Sequence, residues 1–132
     1  MDMEVYFPGG KRVYADYAGF TIETDQPAPA GEGTAPSPFD LFIASIGTCA
    51  GIFALGFMQQ RGIDPSEARI KLRTFSDAAN ADDPGHIAKI EIELQTPPGF
   101  PEKYRAAIIK SMDLCKVKKH LANPPEFEVT AI

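Results

Sequence analysis

Cys49 and Cys115 are the only cysteines of this chain, and they are the residues best suited to chemistry. A thiolate is a nucleophile toward electrophilic oxygen or sulfur. Once oxidised to a sulfenic acid, it over-oxidises unless a second thiol captures it. The opening residues, MDMEVYFPGG, show no basic n-region, no apolar h-region and no cleavage site. They read as the start of a cytoplasmic protein, whose thiols stay reduced and form no permanent disulfide. The two cysteines are then either buried inert thiols or a redox pair. From the residues alone, the inert pair is the simpler reading. Cys49 falls in the middle of an apolar helix, far from that helix's positive end. Apolar neighbours raise a thiol pKa, which without a docked cation leaves a mostly neutral thiol at pH 7.

Other chemistries find little footing. His86 and His120 have no metal-ligand spacing, and the cysteines are too far apart in sequence for a zinc motif, so neither metal nor cofactor is expected. Gly9-Gly10 and Gly31-Glu32-Gly33 are turn and loop glycines, not a phosphate cradle. No Ser-His-Asp arrangement has a local signature. The net charge of −5 argues against nucleic acid as a partner. Lys116, Lys118, Lys119 and His120 cluster beside Cys115 and admit two readings. They complement a helix C-terminus, or they form a cationic patch that lowers the Cys115 pKa or receives an acidic reductant protein.

The elements that must position these thiols follow from periodicity. A length of 132 residues suits one domain spanning 1–132, with a core that needs no disulfide staples. Val5–Phe7 and Val13–Tyr17 flank Pro8-Gly9-Gly10 as a hairpin, and Phe20–Thr24 alternates as a strand. Residues 26–38 form a Pro/Gly/Ala loop, long enough to be mobile or functional. Ser37, Pro38 and Asp40 carry the start signals of a helix that runs to Arg61, where Gly62 stops it. Ala68–Phe75 and His86–Thr96 read as strands, with Glu91 and Glu93 on a wet face. Pro101 to about Cys115 reads as an amphipathic helix with Tyr104, Ile108 and Met112 on one side. A short helix at Lys116–Leu121 and a closing strand at Phe127–Ile132 complete an α+β chain.

Phe39–Met58 holds twenty residues and one charge, Asp40. Length alone would admit a membrane span, and Gly47 and Gly51 form a GxxxG pair. A core helix is preferred, because the amphipathic strands need an apolar cover and the segment lacks aromatic belts and a positive flank. A helical wheel puts Phe42, Ser45, Cys49, Phe53 and Gly56 on one face. Asp40, Gly47, Gly51, Ala54 and Met58 share the opposite one, where small residues would let a sheet or helix approach.

The stretch SPFDLFIASIGTCAGIFALGFMQQRGI resembles the central helix of the OsmC/Ohr family, which carries that family's first cysteine. DLCKVKKHLANP resembles the segment that holds its second. The order of elements agrees over essentially the whole chain. The resemblance implies antiparallel sheets wrapped around a long central helix in an intertwined homodimer, with sites at the subunit interface. It implies thiol-dependent reduction of organic hydroperoxides, with Cys49 peroxidatic, Cys115 resolving and a dithiol reductant reopening their disulfide. Phe42, Ile52 and Phe53 would suit an apolar hydroperoxide. The family's thiolate is held by an arginine, for which Arg12 is the candidate, and that arginine by a glutamate ten residues before the first cysteine. Phe39 stands at that position. Asp40 is half a turn out of phase with Cys49 and reads as a capping acid with Ser37. Lys116 replaces the proline usual after the second cysteine. These departures leave a second reading open, a non-peroxidatic protein binding a small apolar molecule in the interface pocket.

Overall fold

The computed structural model describes residues 1–132. The fold is α+β, with antiparallel sheets and one long helix, and it divides into two compact units, Met1–Ser45 and Ile46–Ile132.

In the first unit, β1 (Glu4–Gly9), β2 (Arg12–Tyr17) and β3 (Phe20–Thr24) form an antiparallel sheet in the order β1-β2-β3. Tyr17 pairs with Phe20, so Ala18-Gly19 is a two-residue turn, and both residues have positive φ (50° and 82°). That geometry matches the twist of the strands it joins. Val5, Phe7, Phe20 and Ile22 of this sheet are exposed.

The long loop that follows is held by Asp25, which is buried. Its carboxylate accepts from the Thr34 N–H (3.0 Å), the Thr34 hydroxyl (2.8 Å) and the Gln26 N–H (2.7 Å). Led by the Thr34 N–H, these donors lower its pKa to about 2. Ser37 and Asp40 then close a reciprocal cap. The Asp40 N–H donates to Ser37 Oγ (3.1 Å), and the Ser37 N–H and hydroxyl donate to Asp40 Oδ2 (2.9 and 2.8 Å). Asp40 is thus the capping acid that the spacing predicts.

Helix α1 (Pro38–Gln60) starts there and continues through the second unit. It ends as predicted at Gly62, whose φ is +66°. The Ile63 N–H donates to the Met58 carbonyl and the Gly62 N–H to that of Gln59, a Schellman closure.

Strands β4 (Arg69–Ser76) and β5 (Ile87–Gln95) pair antiparallel, with Ile70 opposite Leu94 and Leu72 opposite Ile92. Gly47 and Gly51 of α1 face this apolar side. A methyl added at Gly47 would lie 2.7 Å from a Leu72 methyl, and one at Gly51 3.5 Å from Ile70. The small face seen on the wheel therefore lets the sheet approach the helix. The wet side carries Arg73 and Glu93, 3.1 Å apart. Ala50, Ala54, Phe57 and Met58 of α1 form the core with Phe100, Ile108 and Met112. Tyr104 packs edge-on against Phe57, and the Arg61 guanidinium lies 3.5 Å from the Phe57 ring centroid.

Two C-terminal expectations need correction. The helix predicted from Pro101 to Cys115 is a 3₁₀ turn (Glu102–Tyr104) followed by α2 (Arg105–Met112), with Ile108 and Met112 buried as expected. Tight i→i−3 bonds, Leu114 N–H to Ser111 and Cys115 N–H to Met112, end it early. Cys115 instead opens α3 (Lys116–Ala122). The closing strand at Phe127–Ile132 is absent; these residues are extended coil, with Phe127, Val129 and Ile132 fully exposed. Alternation alone makes no strand, because strand backbone groups need a neighbour to bond with.

Candidate active site

The site is where α1 meets the first turn of α3. Residue 49 lies mid-helix on α1 and is half-buried, whereas Cys115 is 0 % exposed; both thiols are free. Cys115 is the N-cap of α3, with the extended backbone of a cap (φ −46°, ψ 120°). Its carbonyl accepts the first bond of the helix, from the Lys119 N–H at 3.1 Å. Its side chain makes no capping bond. The N–H groups of a first helical turn have no partner within their own helix. Here the backbone N–H groups of Val117 and Lys116 lie near enough to Cys49 to favour its anion.

This contact sets the charge state of Cys49. The Val117 N–H holds the thiol pKa below its ordinary value. Partial burial pushes it up, but the Cys115 thiol, the Lys116 N–H and the Lys118 charge all lower it further. The sequence reading, in which apolar surroundings raise the thiol pKa, is therefore corrected in direction. A wheel drawn on α1 sees only α1, and the groups that lower the pKa come from residues 115–118. Lys118 is itself held, its Nζ 2.7 Å from Asp113 Oδ1 and its side chain 29 % exposed.

The structure thus brings Cys49 and Cys115 together. Arg12 lies in the first unit, where its Nε donates to the Gly9 carbonyl of its own hairpin at 3.1 Å. Sequence reasoning missed Val117 and Lys118. The lysine cluster was visible, but it was set against Cys115, the adjacent cysteine in sequence, and not against Cys49. Two recesses lie in the second unit, and neither is lined by a cysteine. One, of about 240 Å³, is lined by Ile90, Ile92, Ile109 and Met112 with Asp113 and Lys118 at its edge. The other, of about 260 Å³, includes Gly51, Ala54, Met58, Ile70 and Leu94, on the face of α1 opposite Cys49.

A mixed α+β chain with a thiol pair between a long helix and a C-terminal turn defines a class of cysteine protein, and comparison places it. Residues 31–130 match the family profile described as OsmC-like protein, and the chain belongs to that family. Solved structures agree in fold. One from Psychrobacter arcticus, described as an osmotic stress induced and detoxification response protein, is 22% identical. The match covers 89% of this chain and 85% of that one, with a TM-score of 0.73. An OsmC-like protein from Mycoplasma pneumoniae is 13% identical over 93% and 87% of the two chains, with a TM-score of 0.72. The organic hydroperoxide resistance protein OhrB of Bacillus subtilis is 21% identical over 93% of each chain, with a TM-score of 0.54. A comparison with curated proteins gave no match.

Proposed function

We propose that this protein is a two-cysteine peroxidase that reduces organic hydroperoxides, acting as one OsmC-like domain over its whole length. The observation that carries it is the half-buried Cys49 thiol, held toward its thiolate form beside the buried Cys115. The Cys49 thiolate attacks the terminal peroxide oxygen. The O–O bond breaks, and the alkoxide leaves as the alcohol after taking a proton. Cys115 then condenses with the Cys49 sulfenic acid, releasing water and forming a disulfide, and a dithiol reductant reopens it. Lys118 and two α3 N–H groups supply the stabilisation that the family obtains from an arginine–glutamate pair. The resemblance keeps Arg12 as a further candidate cation.

The test is a free-thiol count before and after one equivalent of cumene hydroperoxide. Rapid loss of both thiols, abolished in Cys49→Ser, is expected. Peroxide reduction that survives Cys49→Ser would refute the proposal. The apolar recess opposite Cys49 favours a second reading, binding of a small apolar molecule without peroxidase chemistry. Two unreacted thiols together with a retained apolar probe would select it.

We further propose that the chain works as a cytoplasmic homodimer. By length and composition α1 could cross a membrane, and only 28% of its apolar window is buried. Ala44, Thr48 and Ile52 form an exposed stripe along it, and Ile52 is 61% exposed. A second copy would cover it without lipid. Sedimentation in detergent-free buffer should show a dimer; a chain that stays in solution only with detergent would support the membrane instead.

A further inference from the structure

Cys115 has no exposed surface, whereas Cys49 is half-buried. A disulfide between them is therefore open to an external thiol at the Cys49 sulfur. The surface of α3, the helix that Cys115 opens, is unusual for this chain. Lys116, Lys119 and His120 lie one turn apart on the outward face of α3, all exposed, while Val117 and Lys118 are half-buried. Lys118 is ion-paired with Asp113, but neither Lys116 nor Lys119 has an ion-pair partner. This cationic face belongs to a chain of net charge −5. Leu114 and Leu121, each 50% exposed, put apolar area beside the charges. A charged rim around apolar anchors is the composition of a transient protein interface, where charge sets the encounter rate.

We propose that the outward face of α3 docks an acidic protein carrying a dithiol, and steers that dithiol onto the Cys49–Cys115 disulfide. The inference rests on the proposed function, since it concerns the disulfide which that reaction would leave. One thiolate of the partner attacks the Cys49 sulfur. The bond to Cys115 breaks, and Cys115 leaves and takes up a proton. The partner's second thiolate then attacks the mixed disulfide, freeing Cys49, which is protonated in turn. Two electrons and two protons pass to the cysteine pair, and the partner departs as its own disulfide.

The disulfide form is prepared with diamide, so no peroxide step is involved and failure of the peroxidase reading is scored separately. The probe is reduced thioredoxin of net negative charge, and the control is neutral dithiothreitol. Raising the salt from about 20 to about 300 mM should slow reduction by thioredoxin at least about fivefold, through screening of the encounter. Lys119→Glu at low salt should slow it at least about threefold, while the dithiothreitol rate stays within about twofold. Thioredoxin rates indifferent to salt and to Lys119→Glu would overturn the proposal. So would equal losses with both reductants, which would place the effect at the disulfide and not at docking. Failure of diamide to link the two cysteines would overturn the geometry itself.

Discussion

Asp25 and Cys49 are two acids treated alike by the fold and put to different use. Each is stabilised as an anion chiefly by a backbone N–H: Thr34 for Asp25, Val117 for Cys49. Each also receives further backbone N–H groups, Gln26 and Glu32 for Asp25 and Lys116 for Cys49, and a side-chain donor, the Thr34 hydroxyl in one case and the Cys115 thiol in the other. The difference lies in access and in the neighbour. Asp25 is 1% exposed and its donors come from the loop it closes, so its charge organises chain and nothing more. Cys49 keeps part of its surface in solvent, and its side-chain donor is itself a thiol that can form a bond with it. Anion stabilisation by backbone donors is therefore a common device, and reactivity follows only where the anion is reachable and has a reaction partner.

The largest expected effect comes from removing the main donor at the thiol. Val117 is the second residue of α3, where proline is tolerated because its N–H serves no bond within the helix. Val117→Pro should raise the Cys49 pKa, and so lower thiolate alkylation at pH 7 by about tenfold. Lys118→Gln should move the same titration in the same direction by less, about threefold in rate, because its charge is partly screened. Unchanged alkylation profiles in both variants would remove the distinction between a structural and a reactive anion. Neither substitution should alter the Asp25 loop.

The smallest effect is expected at that loop. Thr34→Val deletes one donor to Asp25 and should speed amide exchange over residues 26–36 by about tenfold, the equivalent of one hydrogen bond. It should leave Cys49 alkylation as it was. The pH dependence separates the two sites further. Asp25 has a depressed folded pKa, so its contribution to stability is complete above the unfolded value near about 3.9 and is lost as pH falls through about 2. Cys49 is depressed as well, so its contribution is complete above the unfolded value near about 8.5 and fades as pH falls through its lower folded value. Loop protection that persists at pH 3, measured by exchange, with thiol reactivity already gone, is the expected pattern. Loss of both over one pH range would mean that the two sites are not independent.

Much of this arrangement was legible in the residues, and for local reasons. Ser37, Pro38 and Asp40 mark a helix start, and Gly62 a stop, through bonds that span five residues or fewer. The alternation in Ile87–Gln95 gives a strand with Glu93 on the wet side. Even the pairing of Cys49 with Cys115 was within reach, since a redox pair needs two thiols and the chain has two. The reading failed where an outcome depended on residues far away in sequence. Phe127–Ile132 alternates like a strand but has no strand beside it. The apolar face around Cys49 implied a raised pKa, but donors from residues 116–118 lower it.

The sequence by itself determined the first sheet, the start and stop of α1 and the identity of the two thiols, because propensity, capping and periodicity act within a few residues. Only the tertiary structure decided the direction of the Cys49 pKa shift. That direction depends on N–H groups at the start of a second helix, and chain folding alone brings them across 67 and 68 positions to Cys49 (from residues 116 and 117).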